Sequence, residues 1–190
     1  MWKKYWLAVA CLVVMFSVGR AQETVTVTLP TPPATDIGTF EAQTNVVIVK
    51  GSSLVNTISM GNGTLSVHTK ESLNVSSGQK QYGILLSFDG GGGNRIRAAV
   101  DYAELGSMLD GIDYLSRATG DVTSMTGFEA FYQTKSGFQV IAFSSRKQGT
   151  VQLYVKFSEG SRIELSSYQM TQFREMVNTA KANLDALAGK

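Results

Sequence analysis

Stretches in which apolar and polar residues alternate dominate the chain between residues 46 and 165. Alternation of this kind is typical of strands that bury one face, and glycine-rich turns separate most of the stretches. The predicted strands cover residues 46–49, 64–68, 84–88, 95–100, 127–134, 138–144, 151–157 and 162–165.

Two segments show the apolar spacing of amphipathic helices instead. The first begins at Asp101, with Glu104 three residues later, as in a capping box. The second begins after Ser166 or Ser167, with Gln169 three residues after Ser166. The apolar stripe of the first helix is Leu105, Met108, Leu109, Ile112 and Leu115. That of the second is Met170, Phe173, Val177, Ala180, Leu184 and Leu187.

The two helices end two similar stretches, residues 64–118 and 129–183. We predict a tandem ββββα duplication, although two unrelated strand-rich stretches that end in helices would look alike. Strands joined by short turns pair antiparallel, and amphipathic helices cover a sheet face. The fold class predicted is α+β, an antiparallel sheet with two amphipathic helices packed on one face.

The N-terminus has the three parts of a secretory signal. Lys3 and Lys4 precede an apolar run over residues 7–18, and small residues lead to Ala21. We predict a signal peptide over residues 1–21 and a periplasmic or secreted protein. A membrane anchor is the first alternative, but the run falls short of the roughly twenty residues that span a bilayer. Acylation of Cys11, as in a lipoprotein, is the second alternative.

Cleavage would change the composition of the chain. Residues 22–38 contain all three prolines and are interpreted as a Thr/Pro-rich spacer, with a short edge strand at residues 25–28 as the alternative. Residues 39–190 are predicted to form a single domain. The mature chain would hold 14 basic and 15 acidic residues, a net charge of 14 − 15 = −1. This balance does not favour nucleic-acid binding, and no membrane span remains after cleavage.

Candidate chemistry is sparse. His68 is the only histidine, so a Ser-His-Asp triad would have to be built on it, and the nearest serines, Ser66 and Ser72, have no nucleophile-elbow sequence. The only cysteine would be removed with the signal peptide, so a zinc site lacks enough His or Cys ligands. Asp110 and Asp113 share a helix face, which a solvated polar face explains. The glycines of residues 89–94 suit a hairpin loop better than a phosphate or calcium loop. We predict no catalytic residue, no metal site and no cofactor.

One group of apolar residues is predicted to face away from the helices. If residues 135–137 form a three-residue turn, strand alternation places Phe131, Ile141, Phe143 and Tyr154 on that far face. A solvated antiparallel face is usually polar. Either residues 40–60 fold across these side chains, or the patch is open and binds a partner or a second copy.

These observations favour an exported non-catalytic domain that binds a partner or serves in an assembly. The partner would be an unknown protein or a second copy of the chain. The alternatives are an enzyme with a carboxylate-only site and a carrier that holds an apolar ligand between sheet and helices.

Overall fold

The structure, a computed structural model, describes most of the predicted domain. The predicted signal peptide and the spacer up to residue 33 lie outside the described residues. The described part contains three α-helices and two antiparallel sheets, which confirms the α+β class. The residues described are 34–93, 95–145, 150–158, 160 and 162–189.

The first sheet is a four-stranded antiparallel meander in the order β1-β2-β3-β4. Its strands are Ile48–Met60, Gly63–Asn74, Lys80–Asp89 and Arg95–Asp101. β1 extends well beyond the predicted residues 46–49. The prediction was too short because most residues of β1 are exposed and show little alternation. The inner face of β2 and β3 is fully buried at Leu65, Val67, Ile84 and Leu86.

The second sheet is a similar meander in the order β5-β6-β7-β8. Its strands are Gly127–Gln133, Gln139–Ser145, Val151–Lys156 and Arg162–Leu165. Tyr132 lies opposite Val140, and Phe131 lies opposite Ile141, which confirms the register predicted from the turn at residues 135–137. The eight strands thus divide between two sheets, where the sequence predicted one.

The two long helices begin at their predicted caps. Helix α2 covers Leu105–Ser116, and helix α3 covers Ser167–Ala188. A short 3₁₀ turn leads into α2, and there the Glu104 carboxylate accepts the N–H of Asp101 at 3.3 Å. At the start of α3, the Ser166 Oγ accepts the N–H of Gln169 at 3.2 Å. Each cap satisfies backbone donors that the first turn leaves without a partner.

Each long helix packs on the sheet of the other unit. Helix α2 follows β4 but lies against β5 and β6, while α3 follows β8 but lies mainly against β1 and β2. Ser107 and Gly111 of α2 both meet Tyr132 of β5, with 2.9 Å between the two hydroxyl oxygens. The helices also contact each other, and Arg174 donates to Asp113 at 2.8 Å. The two ββββα units are therefore interlocked.

A short helix, α1 (Asp36–Glu41), covers one end of the outer face of the first sheet. Its two apolar side chains are buried. The buried Asp101 carboxylate accepts the N–H groups of Asp36 and Ile37 at 2.8 and 3.0 Å. The last residues of the predicted 22–38 spacer therefore belong to the domain.

One hydrophobic core joins the inner faces of both sheets and both long helices. The predicted stripe of α2 is buried throughout. In α3 the stripe ends at Leu184, and Leu187 in the last turn is 59% exposed, contrary to the prediction. Met176, which the sequence analysis did not include, is buried beside the stripe.

The order of elements confirms the tandem ββββα arrangement. Aligning residues 64–118 with residues 129–183 matches β4 with β8 and α2 with α3. The same alignment sets β2 against β5, because the strands of the first unit are longer. The correspondence is therefore closest where each last strand leads into its helix.

Candidate functional site

The strand register of the second sheet brings the four predicted apolar residues together. Phe131 lies opposite Ile141, which lies opposite Tyr154 on the next strand. Phe143 follows Ile141 by two positions in β6 and so points to the same face. We call these four side chains the apolar patch.

The apolar patch lies on the outer face of the sheet, and none of its side chains belongs to the main core. Ile141 on the inner strand β6 is only 1% exposed, whereas Phe131 on the edge strand β5 is 56% exposed. Phe143 and Tyr154 are half-buried. The patch thus has a buried floor and an aromatic ring open to solvent at one edge.

Polar side chains share the outer face with the apolar patch. Arg162 of β8 donates to the Glu129 carboxylate of β5 at 2.7 Å. Because β5 and β8 are the two edge strands, this ion pair reaches across the outer face of β6 and β7. The Arg162 guanidinium also lies 6.0 Å from the centre of the Tyr154 ring. The Tyr154 hydroxyl donates to Gln152 at 2.8 Å.

Most of the segment 40–60, which the first alternative placed over the apolar patch, belongs to the first sheet instead. Residues 48–60 form β1 and pair with β2 in the first sheet. Val47 and Val49, which belong to the segment of the first alternative, are 63% and 51% exposed. The first of the two explanations is therefore wrong for these residues, and Phe131 stays open.

A second feature, which the sequence analysis did not predict, lies on the outer face of the first sheet. The β1–β2 turn and the β3–β4 loop stand at the same end of the sheet and border a cleft of about 650 Å³. Ser66, His68 and Ser87 lie on its floor. The alternation at residues 64–68 indicates which β2 side chains point outward, and the glycine-rich loop predicts that β3 and β4 pair, but neither pattern reveals that these side chains border an open cleft.

Of the arginines of β4, Arg95 lines this cleft, and Arg97 lies next to the cleft on the same outer face. Arg95 donates from Nε and Nη2 to one oxygen of Asp89, at 3.2 and 2.8 Å. Arg97 lies opposite Ser87 and is exposed. Within the described residues, Arg97 makes no side-chain hydrogen bond or ion pair. Its guanidinium is therefore available to a ligand.

The charges around the cleft act on His68. Burial and then the positive charges of Arg97 and Arg95 hold the pKa of His68 below its ordinary value of 6.5. The imidazole is therefore neutral at neutral pH, where it can both donate and accept a hydrogen bond.

Three carboxyl groups with shifted pKa values are held ionised. Among the described residues, the pKa is lowered at Glu41, Asp89 and Asp113, each of which contacts a Lys or Arg. A general acid at neutral pH requires the opposite shift. These groups therefore serve as hydrogen-bond acceptors and ion-pair partners.

Asp113 pairs with Arg174 and does not form a site with Asp110. No three His, Cys, Asp or Glu residues in the described ranges are placed to hold a metal ion. The helices of those ranges are all too short or too polar to cross a membrane.

No protein-family model matches the chain, and no curated protein is significantly similar to it. The proposals below therefore start from the apolar patch on the second sheet and the cleft on the first sheet.

Proposed function

We propose that the protein is an exported, non-catalytic binding or assembly domain that holds a protein partner on the apolar patch. The observation that carries the proposal is Phe131, an aromatic side chain that is 56% exposed beside the buried Ile141. A solvated antiparallel face normally carries polar residues at such positions. Covering this patch with another surface would remove its apolar side chains from water, which lowers the free energy.

The composition of the patch supports a protein partner. Aromatic and arginine side chains contribute much of the binding energy at protein interfaces. Phe131, Phe143 and Tyr154 supply the aromatic rings, and Arg162 lies on the same face beside Tyr154. A partner that covers the rings would displace water from the apolar side chains and contact the Arg162–Glu129 pair.

The two alternative functions receive less support. A carboxylate-only enzyme needs a carboxyl group that holds its proton. At Glu41, Asp89 and Asp113 the pKa is lowered, so these groups lose their protons more readily. A carrier of an apolar ligand needs an enclosed apolar cavity. The cleft described above is open, and apart from Leu54 and several glycines its lining residues are polar or charged.

The substitution Phe131→Asp tests the proposal. Tyr168→Asp is the matched control, because Tyr168 is also an exposed aromatic, at 71%, and lies in the first turn of α3. We expect both variants to fold with wild-type circular dichroism. Sedimentation velocity and capture from the native exported fraction should show that Phe131→Asp alone loses association. Equal association of wild type and Phe131→Asp would rule out the patch as the interface.

Export is tested separately by the intact mass of the protein recovered outside the cytoplasm. We expect a chain that starts near Gln22 and has therefore lost both tryptophans, Trp2 and Trp6. Tryptophan fluorescence in the exported protein would contradict cleavage at this position.

A further inference from the structure

We propose that the cleft on the outer face of the first sheet is a second binding site. It takes a carboxylate, phosphate or sulfate group on the hydroxyls of Ser66 and Ser87 and the guanidinium of Arg97. This site is separate from the apolar patch, which lies on the other sheet, and its ligand is a small anionic group.

The strand register builds the site from one row of side chains. Thr57, Ser66, Ser87 and Arg97 lie opposite one another in turn across β1 to β4. Ser87 is only 9% exposed and so lies low in the cleft. In the described part of the chain, the hydroxyls of Ser66 and Ser87 have no hydrogen-bond partner. A ligand that enters the cleft can accept from both hydroxyls.

The charges of the row favour an oxyanion. The neighbouring Arg95 is tied to Asp89, so the uncompensated positive charge is that of Arg97. A planar guanidinium binds carboxylate, sulfate and phosphate through two parallel N–H donors. Hydroxyl donors beside it complete the hydrogen bonds that an oxyanion requires.

The lining of the cleft argues against other ligand classes. None of the described residues that line it is Phe, Tyr or Trp, the side chains on which a neutral sugar usually stacks. Asp89 is the carboxylate in the lining, and its bond to Arg95 leaves little negative charge for a cation. The donors that remain, the hydroxyls of Ser66 and Ser87 and the guanidinium of Arg97, favour an anionic ligand.

His68 provides a direct probe, because it is the only histidine of the chain and lies in the cleft. The charged groups near it are Arg95 and Arg97 on β4, Asp89 on β3 and Lys70 on β2. The Lys70 Nζ is already held by Glu41 at 2.7 Å. The β1 residues of the lining, Leu54 and Thr57, carry no charge. A bound anion stabilises the imidazolium and therefore raises the pKa of His68.

The experiment follows the imidazole C–H signals of His68 by NMR while inorganic phosphate is added. We expect a saturable shift and a raised pKa. Arg97→Gln should weaken binding about tenfold or more, since it removes a charge-assisted hydrogen-bond donor. Arg117→Gln is the matched control: it removes the same charge from the end of α2, where Arg117 bonds the carbonyl of Asp113. Ser87→Ala should weaken binding while leaving the charge unchanged.

Further probes separate the sources of the anion. Equal binding of phosphate and glucose 6-phosphate points to the free ion, whereas tighter binding of glucose 6-phosphate points to an anionic saccharide. The proposal is overturned if no anion shifts His68 saturably, if glucose binds as well as its phosphate, or if Arg97→Gln weakens binding no more than Arg117→Gln. These outcomes do not depend on the apolar patch.

Discussion

Glu41 is the residue with the strongest electrostatic link between α1 and the first sheet. Its carboxylate contacts the Nζ atoms of Lys50 and Lys70 at 2.8 and 2.7 Å and accepts the Ser72 hydroxyl at 2.5 Å. Burial alone would raise its pKa, but these partners lower the pKa from 4.5 to about 2. The ionised group therefore stabilises the fold above pH 4.5, and this contribution is lost as the pH falls through about 2.

Replacing Glu41 with Gln should lower the free energy of unfolding by about 2–3 kcal/mol at neutral pH. The loss should shrink towards pH 2, where the wild-type carboxylate is itself protonated. Glu71→Gln is the control, because Glu71 contacts Lys80 in a more exposed pair, and such pairs contribute at most about 1 kcal/mol. Urea unfolding at both pH values measures the difference. An equal loss at neutral and acid pH would contradict the assignment.

Two glycines of α2 allow the packing of that helix to be tested at the scale of the element. A Cβ at Gly111 would come within 2.8 Å of the Tyr132 ring, whereas a Cβ at Gly106 would meet nothing within 4 Å. Gly111→Ala should therefore destabilise the protein by about 1–3 kcal/mol through overpacking. Gly106→Ala should stabilise it by up to about 1 kcal/mol through helix propensity. Thermal unfolding measures both, and equal effects would argue against the close approach of α2 to β5.

The attachment of α1 depends on Asp101, whose carboxylate accepts two N–H groups of α1 and lies 3.4 Å from the Lys135 Nζ. Asp101→Asn should weaken these charge-assisted bonds by about 1–3 kcal/mol. We expect faster hydrogen exchange at residues 36–41. Asp110→Asn, on an exposed position of α2, should leave that exchange unchanged. Unchanged protection of α1 in the Asp101 variant would show that its apolar contacts alone hold it.

The sequence predicts elements of this fold better than it predicts their partners. Alternation and the short turn at residues 135–137 were enough to place Phe131 opposite Ile141, because side chains alternate strictly along paired strands. The stripe of α2 indicates which face of the helix is buried, but any apolar sheet could cover it. The exchange of helices depends on contacts between distant segments, and the cleft near Ser87 depends on how the side chains of neighbouring strands pack, so local pattern reveals neither.

At the scale of the whole molecule, the interlocked helices make each unit incomplete on its own. Residues 34–120 contain the first sheet without α3, and residues 121–190 contain the second sheet without α2. Each fragment would expose a broad apolar face. We expect neither fragment to unfold cooperatively as a monomer, and we expect the mixture to recover the native circular dichroism. A stable, monomeric fragment of residues 34–120 would contradict the interlocked arrangement.

The exchange of helices also determines when the chain can fold during its synthesis. The inner faces of β1 and β2 stay uncovered until α3 is synthesised, and the entire second sheet precedes α3 in the chain. A fold whose contacts join such distant segments forms slowly, because the entropy of closing long loops is lost before the stabilising contacts form. The core of the domain therefore cannot be completed until α3 has been synthesised.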